Sequence, residues 1–302
     1  MKIFMTGGTG FVGRVLTDAF LHKGHQVTVL TRSSRAESHT AGLSYLSGDP
    51  TAKGKWQEKV SDHDVIVNLA GSSIFQRWTK NRKADIRESR LLVTENVVEA
   101  LSRGNRKTVR LLSTSAVGFY GFRGDELLDE SSSSGEGFLA SLSREWESAA
   151  MQAADHGAEV VILRFGVVLG RNGGALQQMV PVFKWYLGSP LGSGKQWFSW
   201  IHQEDLTSVY LYLLERKDLS GPINCTAPYP VTNEEMTRII GEEMGKPTFM
   251  PAVPGFVLKM ILGEFASVIV KGQRVVPRRL LDAGFQFRFP DMGLALRDLL
   301  AG

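Results

Sequence analysis

The chain has little cysteine and no long apolar run. Cys225 is the one cysteine in 302 residues, so no intramolecular disulfide can form and a cross-linked small scaffold is excluded. That usage fits a reducing compartment, and a cytoplasmic location is expected. No hydrophobic stretch approaches the roughly 18 residues of a membrane-spanning helix; the strongest, Val160–Leu169, is broken by Arg164. The first five residues carry one charge and are too few for a signal-peptide core, so they read as an opening strand. Charge of one sign is also scarce. The net charge is +4, and residues 253–302 account for three of it, with Arg278-Arg279 the tightest cluster. No nucleic-acid-binding module accompanies that tail, so it reads as a solvated basic face or a surface attracting anionic ligands. The six histidines lack ligand spacing, and no metal site is expected.

What is present is an ordinary globular composition, 43% hydrophobic and 22% charged, enough for a sizeable core. Short apolar runs at Ile3–Met5, Val27–Leu30, Leu43–Leu46, Val65–Leu69, Val109–Ser113 and Val160–Phe165 lack polar alternation. Strands of that kind are covered on both faces. Helical spacing occupies Phe11–Lys23, 82–101 and 138–154 between them. The expected fold is α/β: a Rossmann-type doubly wound parallel sheet over residues 1–170, with contributions from later residues. Residues 171–302 have shorter elements punctuated by glycine and proline, with helical patterns at 205–215, 234–244 and 293–300. They read as a smaller C-terminal α/β cap, with no low-complexity linker before it.

The strongest motif is Gly7-Gly8-Thr9-Gly10-Phe11-Val12-Gly13, between the first strand and the first helix. Gly7 permits the tight turn, Gly10 lets backbone approach a pyrophosphate, and Gly13 allows close helix–strand packing. The helix's free N–H groups then receive the phosphates. An NAD site usually has a carboxylate at the end of the second strand. Here that strand runs into Thr31-Arg32-Ser33-Ser34-Arg35, and no carboxylate appears before Glu37. Guanidinium groups with flanking hydroxyls suit a 2′-phosphate, so NADP(H) is the expected cofactor.

With these residues in view, the chain resembles the extended, atypical short-chain dehydrogenase/reductases, the NAD(P)-dependent epimerase/dehydratase superfamily. Besides the glycine loop, the resemblance rests on Asn68-Leu69-Ala70-Gly71, on Ser113 to Gly121, on Arg164 to Gly170, and on Trp200 to Leu206. Pro190 to Gly194, Ser220 to Asn224, Gly272 to Arg279 and Gly284-Phe285 match the "epimerase family protein" branch, which carries a C-terminal domain of unknown function. The resemblance covers essentially the whole chain. It implies cofactor contacts from Thr31, Arg32, Leu69, Ala70, Arg90 and Val168, with Gly71 and Ser113 in the same motifs.

Relatives with redox chemistry use a Ser or Thr after the fifth strand and a Tyr-x-x-x-Lys pair on the next helix. Ser115 fills the first position, but Phe138 and Leu142 stand where the pair belongs. No lysine lies between Lys107 and Lys184, and Tyr120 is the one tyrosine in that interval. Ser115 is therefore a candidate to orient a substrate carbonyl or hydroxyl, or else a serine satisfying backbone at a strand end. Tyr120 is either a proton donor or a packing residue. Arg144 is a stand-in cation or a surface arginine, and His202 is a bridge between subdomains more than a base, with Asp205 expected to cap the helix from Leu206. Trp185, Tyr186, Trp197, Phe198 and Trp200 either stack a flat ligand or fill core.

Two functions stay open. One is an NADP(H)-dependent oxidoreductase or epimerase-like enzyme acting on a small polar or sugar-derived substrate. The other is an NADP(H)-binding sensor, regulator or assembly factor without turnover; some relatives carry a cell-division label. The expected partners are the dinucleotide and an unknown small molecule, without nucleic acid or membrane, in a monomer or homodimer.

Overall fold

A computed structural model describes residues 1–33, 38–104, 109–171 and 173–301. Seven strands form one parallel sheet: β1 (Lys2–Thr6), β2 (Gln26–Thr31), β3 (Leu43–Ser47), β4 (Val65–Asn68), β5 (Arg110–Ala116), β6 (Glu159–Phe165) and β7 (Gly221–Cys225). Their order is β3-β2-β1-β4-β5-β6-β7. The chain thus builds outward in both directions from β1 and β4, leaving a crevice at the carboxyl ends of those two strands. Ligands of doubly wound sheets bind at such a switch point.

Both faces are covered, as strands without alternation require. Ile3 and Met5 point to one layer, where Leu16 and Phe20 of α1 (Phe11–His22) meet Val209, Tyr210 and Leu213 of α5 (Gln203–Glu215). Phe4 points to the other, with Val97 and Ala100 of α2 (Lys80–Ser102) and Ala150 of α3 (Phe138–Met151). A third cluster forms the cap core, joining Phe183 of α4 (Gly174–Lys184), Ile240 of α6 (Asn233–Glu243), Trp200 and Leu296.

Each of the six anticipated apolar runs falls on a strand of the sheet. The seventh strand, β7, has no clear strand signal in the sequence, because it opens Gly221-Pro222 and carries Asn224. It returns the chain to the main sheet, so the residues after 170 serve both layers. Helix α4 is likewise masked in the sequence; it begins after Gly173 and contains Pro181, both discouraging signals. The expected cap of α5 needs correction. His202 is the cap: its Nδ1 accepts from the N–H of Glu204 at 3.0 Å. Asp205 lies inside the first turn, and its carboxylate accepts from the N–H groups of Arg288 and Phe289 at 2.8 and 2.9 Å. That pins the C-terminal segment to the sheet layer. No described helix is long and apolar enough to cross a membrane.

Candidate functional site

The glycine loop is built for close approach. Gly7 has φ +70°, and a Cβ there would come within 2.9 Å of the Leu69 carbonyl carbon and the Ala70 nitrogen. A Cβ on Gly13 would collide with the Gly7 carbonyl oxygen and the Gly8 backbone, while Gly10 donates its N–H to Gly7 O at 3.0 Å. Gly10 is the N-cap of α1, and no side chain caps it. The first-turn N–H groups beside Thr9, Phe11 and Val12 are therefore left for an external acceptor, at the positive end of the helix dipole. These features fit a pyrophosphate.

The opposite lip is fixed by Thr6 of β1. Its hydroxyl donates to Asn68 Oδ1 at 2.7 Å and accepts from Leu69 and Ala70 N–H at 3.2 and 3.3 Å. Asn68 Nδ2 continues inward to Thr94 Oγ1 at 2.9 Å and Ser113 Oγ at 3.4 Å, which places Ser113 in the buried framework. Gly71 lies against Arg90: a Cβ would sit 3.1 Å from the guanidinium carbon. Arg90 donates to Ser72 O and Ile86 O at 3.1 and 3.0 Å and lies 5.2 Å from the Trp146 ring centre. Burial pulls its pKa down to about 10, so it stays charged at neutral pH.

At the end of β2, Thr31 is buried and accepts the Ser33 N–H at 3.3 Å, while Arg32 is exposed. Asp49 is in its field. The Thr51 hydroxyl and N–H hold that carboxyl below its usual range, with Arg32 a smaller contribution in the same direction. Arg35 lies outside the described residues. At the other end of the crevice, Val168 packs with Phe11 and Val12. The Phe11 ring rests on Gly170, Gly173 and Gly174, where added Cβ atoms would press into it.

The fifth strand's end holds a buried polar chain. Ser115 donates its hydroxyl to Glu147 Oε1 at 2.7 Å. Glu147 receives Arg164 through two bonds of 2.8 Å, and Arg164 Nη1 donates to the Tyr120 hydroxyl at 2.9 Å. Tyr120 in turn donates to Asn224 Oδ1 at 2.7 Å. Tyr120 is fully buried, and burial pushes its pKa up to about 12. Its hydroxyl is thus committed on both sides within the core. Neither Glu147 nor Arg164 is among the candidate site residues drawn from the sequence, although a charge inside the apolar run of β6 signals a hidden partner.

Where the Tyr and Lys of relatives would stand, the packing is mainly apolar, with the Lys83 ammonium, paired to Glu264, 5.2 Å from the Phe138 ring centre. Phe138 meets Trp78 edge to face at 5.2 Å, Trp78 lies 5.7 Å from Phe265, and Leu142 is buried among them. Arg144 is exposed and bonds Gly135 O at 2.7 Å, away from this cluster. A phenol–ammonium pair does exist elsewhere: Lys246 Nζ donates to Tyr186 OH at 2.7 Å, on the exposed end of the cap beyond α4. Of the aromatic group, Trp200 is core, Trp185 is exposed, and Trp197 donates its indole N–H to Asp125 Oδ1 at 2.7 Å. His202 is buried against Phe289, with Nε2 3.4 Å from the Asp298 carboxylate, joining sheet layer and C-terminal helix.

Comparison with known proteins agrees with this geometry. Residues 3–225 match the model of the NAD dependent epimerase/dehydratase family, and residues 253–299 match a domain of unknown function, DUF1731. The chain is 40% identical to the chloroplastic epimerase family protein SDR39U1 homolog of Arabidopsis thaliana, over 99% of this chain and 87% of that one. It is 39% identical to the epimerase family protein YfhF of Bacillus subtilis (strain 168), over 100% of this chain and 98% of that one. The crystal structure of human epimerase family protein SDR39U1 (isoform 2) with NADPH superposes with a TM-score of 0.87 at 33% identity, covering 100% of both chains. The chain belongs to the NAD dependent epimerase/dehydratase family, in the group of epimerase family proteins that carry the DUF1731 segment.

Proposed function

We propose that this protein is an NADP(H)-dependent oxidoreductase of epimerase-like type, acting on a small polar or sugar-derived substrate. The observation that carries the cofactor assignment is the crevice between β1 and β4, where Gly7 and Gly13 leave room that a Cβ would fill and α1 opens uncapped. The human relative solved with NADPH supports the same dinucleotide. In this reading the loop from Gly7 to Gly13 receives the pyrophosphate, and Arg32, with Thr31 and Arg35, takes the 2′-phosphate. Leu69, Ala70, Gly71 and Val168 border the path toward the nicotinamide end, and Arg90 holds the Gly71 turn.

The bound dinucleotide supplies hydride chemistry at its nicotinamide. The chain supplies position and a proton site. Ser115 Oγ donates to Glu147, whose two oxygens are both engaged by Arg164. Ser115 orients the substrate oxygen; in the oxidising direction the serine passes its proton to Glu147 as it takes the substrate's, and in the reducing direction solvent supplies the proton. Tyr120 positions Arg164 from behind. The test is a panel of carbonyl substrates followed by NADPH consumption, in wild type and Ser115→Ala. Turnover that drops at least tenfold in the variant supports the assignment; turnover untouched by Ser115→Ala rejects it.

The apolar cluster around Phe138 favours a second reading, cofactor binding without turnover in a sensing or assembly role. It predicts tight NADPH binding with no consumption across the whole panel.

A further inference from the structure

One cation near the carboxyl edge of the sheet stands without an acceptor. Arg274 lies on the short strand Arg274–Val275, paired in parallel with Leu127–Leu128. Its Nε is buried with no hydrogen-bond partner, and its guanidinium carbon is 4.4 Å from the centre of the Trp197 ring. No ion pair engages it among the described residues. Buried donors are seldom left so, because the lost hydration is not replaced.

The surrounding backbone holds this arrangement in place. Gly272 approaches Trp197 so closely that a Cβ would collide with the Trp197 carbonyl. Ser199 Oγ donates to Gln273 O at 2.7 Å and accepts the Val275 N–H at 3.0 Å. Val275 is buried with Val117 and Tyr120, just past Ser115. Arg274 is therefore held between two anchored neighbours, with its guanidinium over an indole ring. Lys271, one residue before Gly272, lies 5.6 Å from the Phe122 ring centre and also lacks an ion pair among the described residues. Trp197 belongs to a stretch, residues 160–203, that contains no Asp or Glu. Of the carboxylates nearby, Asp125 accepts the Trp197 indole N–H through Oδ1, and Glu130 accepts the backbone N–H groups of Asn224 and Arg279.

The position is one where a ligand would arrive. Ser199 touches Gly166, the first residue after β6, and Thr226, the first after β7, donates to Val275 O at 3.5 Å. Both strands end there, and small molecules bind at the carboxyl ends of such strands. A guanidinium stacked on an aromatic plane presents a rigid fork of donors matched to a carboxylate or a phosphate.

We propose that Arg274, assisted by Lys271, recognises an oxyanion on the small molecule this protein takes. That molecule is anionic, carrying a carboxylate or phosphate group. Calling it the substrate rests on the NADP(H) reading above; the anion site itself does not.

The experiment uses the full chain with ¹⁵N-labelled arginine. The Arg274 Nε–H resonance is assigned by its loss in Arg274→Gln and, independently, in Arg274→Lys. Inorganic phosphate and succinate are titrated separately, with neutral succinamide and sodium chloride at matched ionic strength as controls. The expected result is a saturable shift with phosphate, with succinate or with both, and none with the controls; which anion acts identifies the group. Affinity should weaken about tenfold in Trp197→Leu, a change of one decade in dissociation constant. No shift, or a non-saturating shift shared with chloride, overturns the proposal, and wild type alone decides this if a variant fails to fold. NADPH is titrated into the same sample. An anion response without NADPH binding defeats the cofactor reading and leaves this site standing; NADPH binding without an anion response defeats this site alone.

Discussion

Arg164 and Glu147 face each other fork to fork, Nε on Oε1 and Nη2 on Oε2, both at 2.8 Å, with side chains only 5% and 12% exposed. Strand β6 supplies the cation and helix α3 the carboxylate, 17 residues apart in sequence. Arg164 also lies 3.5 Å from the centre of the Phe119 ring. Desolvation opposes its charge, but the Glu147 and Tyr120 contacts outweigh it and raise its pKa. The pair is the hinge of the polar chain from Ser115 to Asn224.

Breaking that pair leaves a buried charge alone. Glu147→Leu should destabilise the protein by about 3–5 kcal/mol, whereas Glu147→Leu with Arg164→Met should cost less than the single change. Urea unfolding of the two variants and wild type checks this. A double variant less stable than Glu147→Leu would contradict it.

Gly13→Ala should both destabilise the fold and weaken cofactor binding. Its Cβ meets the Gly7 and Gly8 backbone, which cannot rotate away as a side chain would. A cost of about 1–3 kcal/mol is expected from such overpacking. Thermal unfolding and NADPH titration of the same variant should move together. A variant with wild-type stability would show that the loop has slack the geometry denies.

His202 ties stability to pH. Burial lowers its pKa below the ordinary 6.5, outweighing Glu204, Asp298 and Asp205, which pull it upward. Its Nδ1 must stay unprotonated to accept the Glu204 N–H. The unfolded chain therefore takes up this proton first as pH falls. Stability is complete above about 6.5 and declines as pH drops toward the folded value. His63, lowered by burial as well, acts in the same direction. His202→Asn keeps a capping oxygen and should flatten the acid limb of a stability–pH curve, without removing it.

Installing the family's missing pair should not restore it. Leu142 is 4% exposed within the cluster of Trp78, Ile86 and Phe265. Phe138→Tyr with Leu142→Lys places an ammonium in that cluster, and a loss of more than about 2 kcal/mol is expected. Urea unfolding measures the loss, and NADPH consumption should not rise. A stable double variant with new turnover would refute the view that this corner is a closed apolar wall.

Much of the fold was legible because its signals are local. The glycine loop, six of the strands and the helices over 11–22, 80–102 and 138–151 follow from runs and periods a short window contains. What was not legible depends on partners distant in the chain. Nothing near Ser115 announces Glu147, and nothing near Arg164 announces Tyr120. His202 and Asp205 both suit a helix start, and only the approach of Arg288 and Phe289 decides which carboxylate or imidazole does what. The glycine loop was readable as a motif, while the unpartnered Nε of Arg274 emerges only from packing against Trp197.

The central claim is that the crevice between β1 and β4 seats a phosphorylated nicotinamide dinucleotide read by Arg32. Fluorescence titration of the purified protein with NADPH and NADH, repeated with Arg32→Ala, tests it most directly. A charge-assisted contact of about 1.5–3 kcal/mol corresponds to roughly 10- to 100-fold preference. The account predicts that preference for NADPH in wild type and its loss in Arg32→Ala, with NADH affinity little changed. Equal binding of both dinucleotides by wild type, or binding of neither, would contradict it.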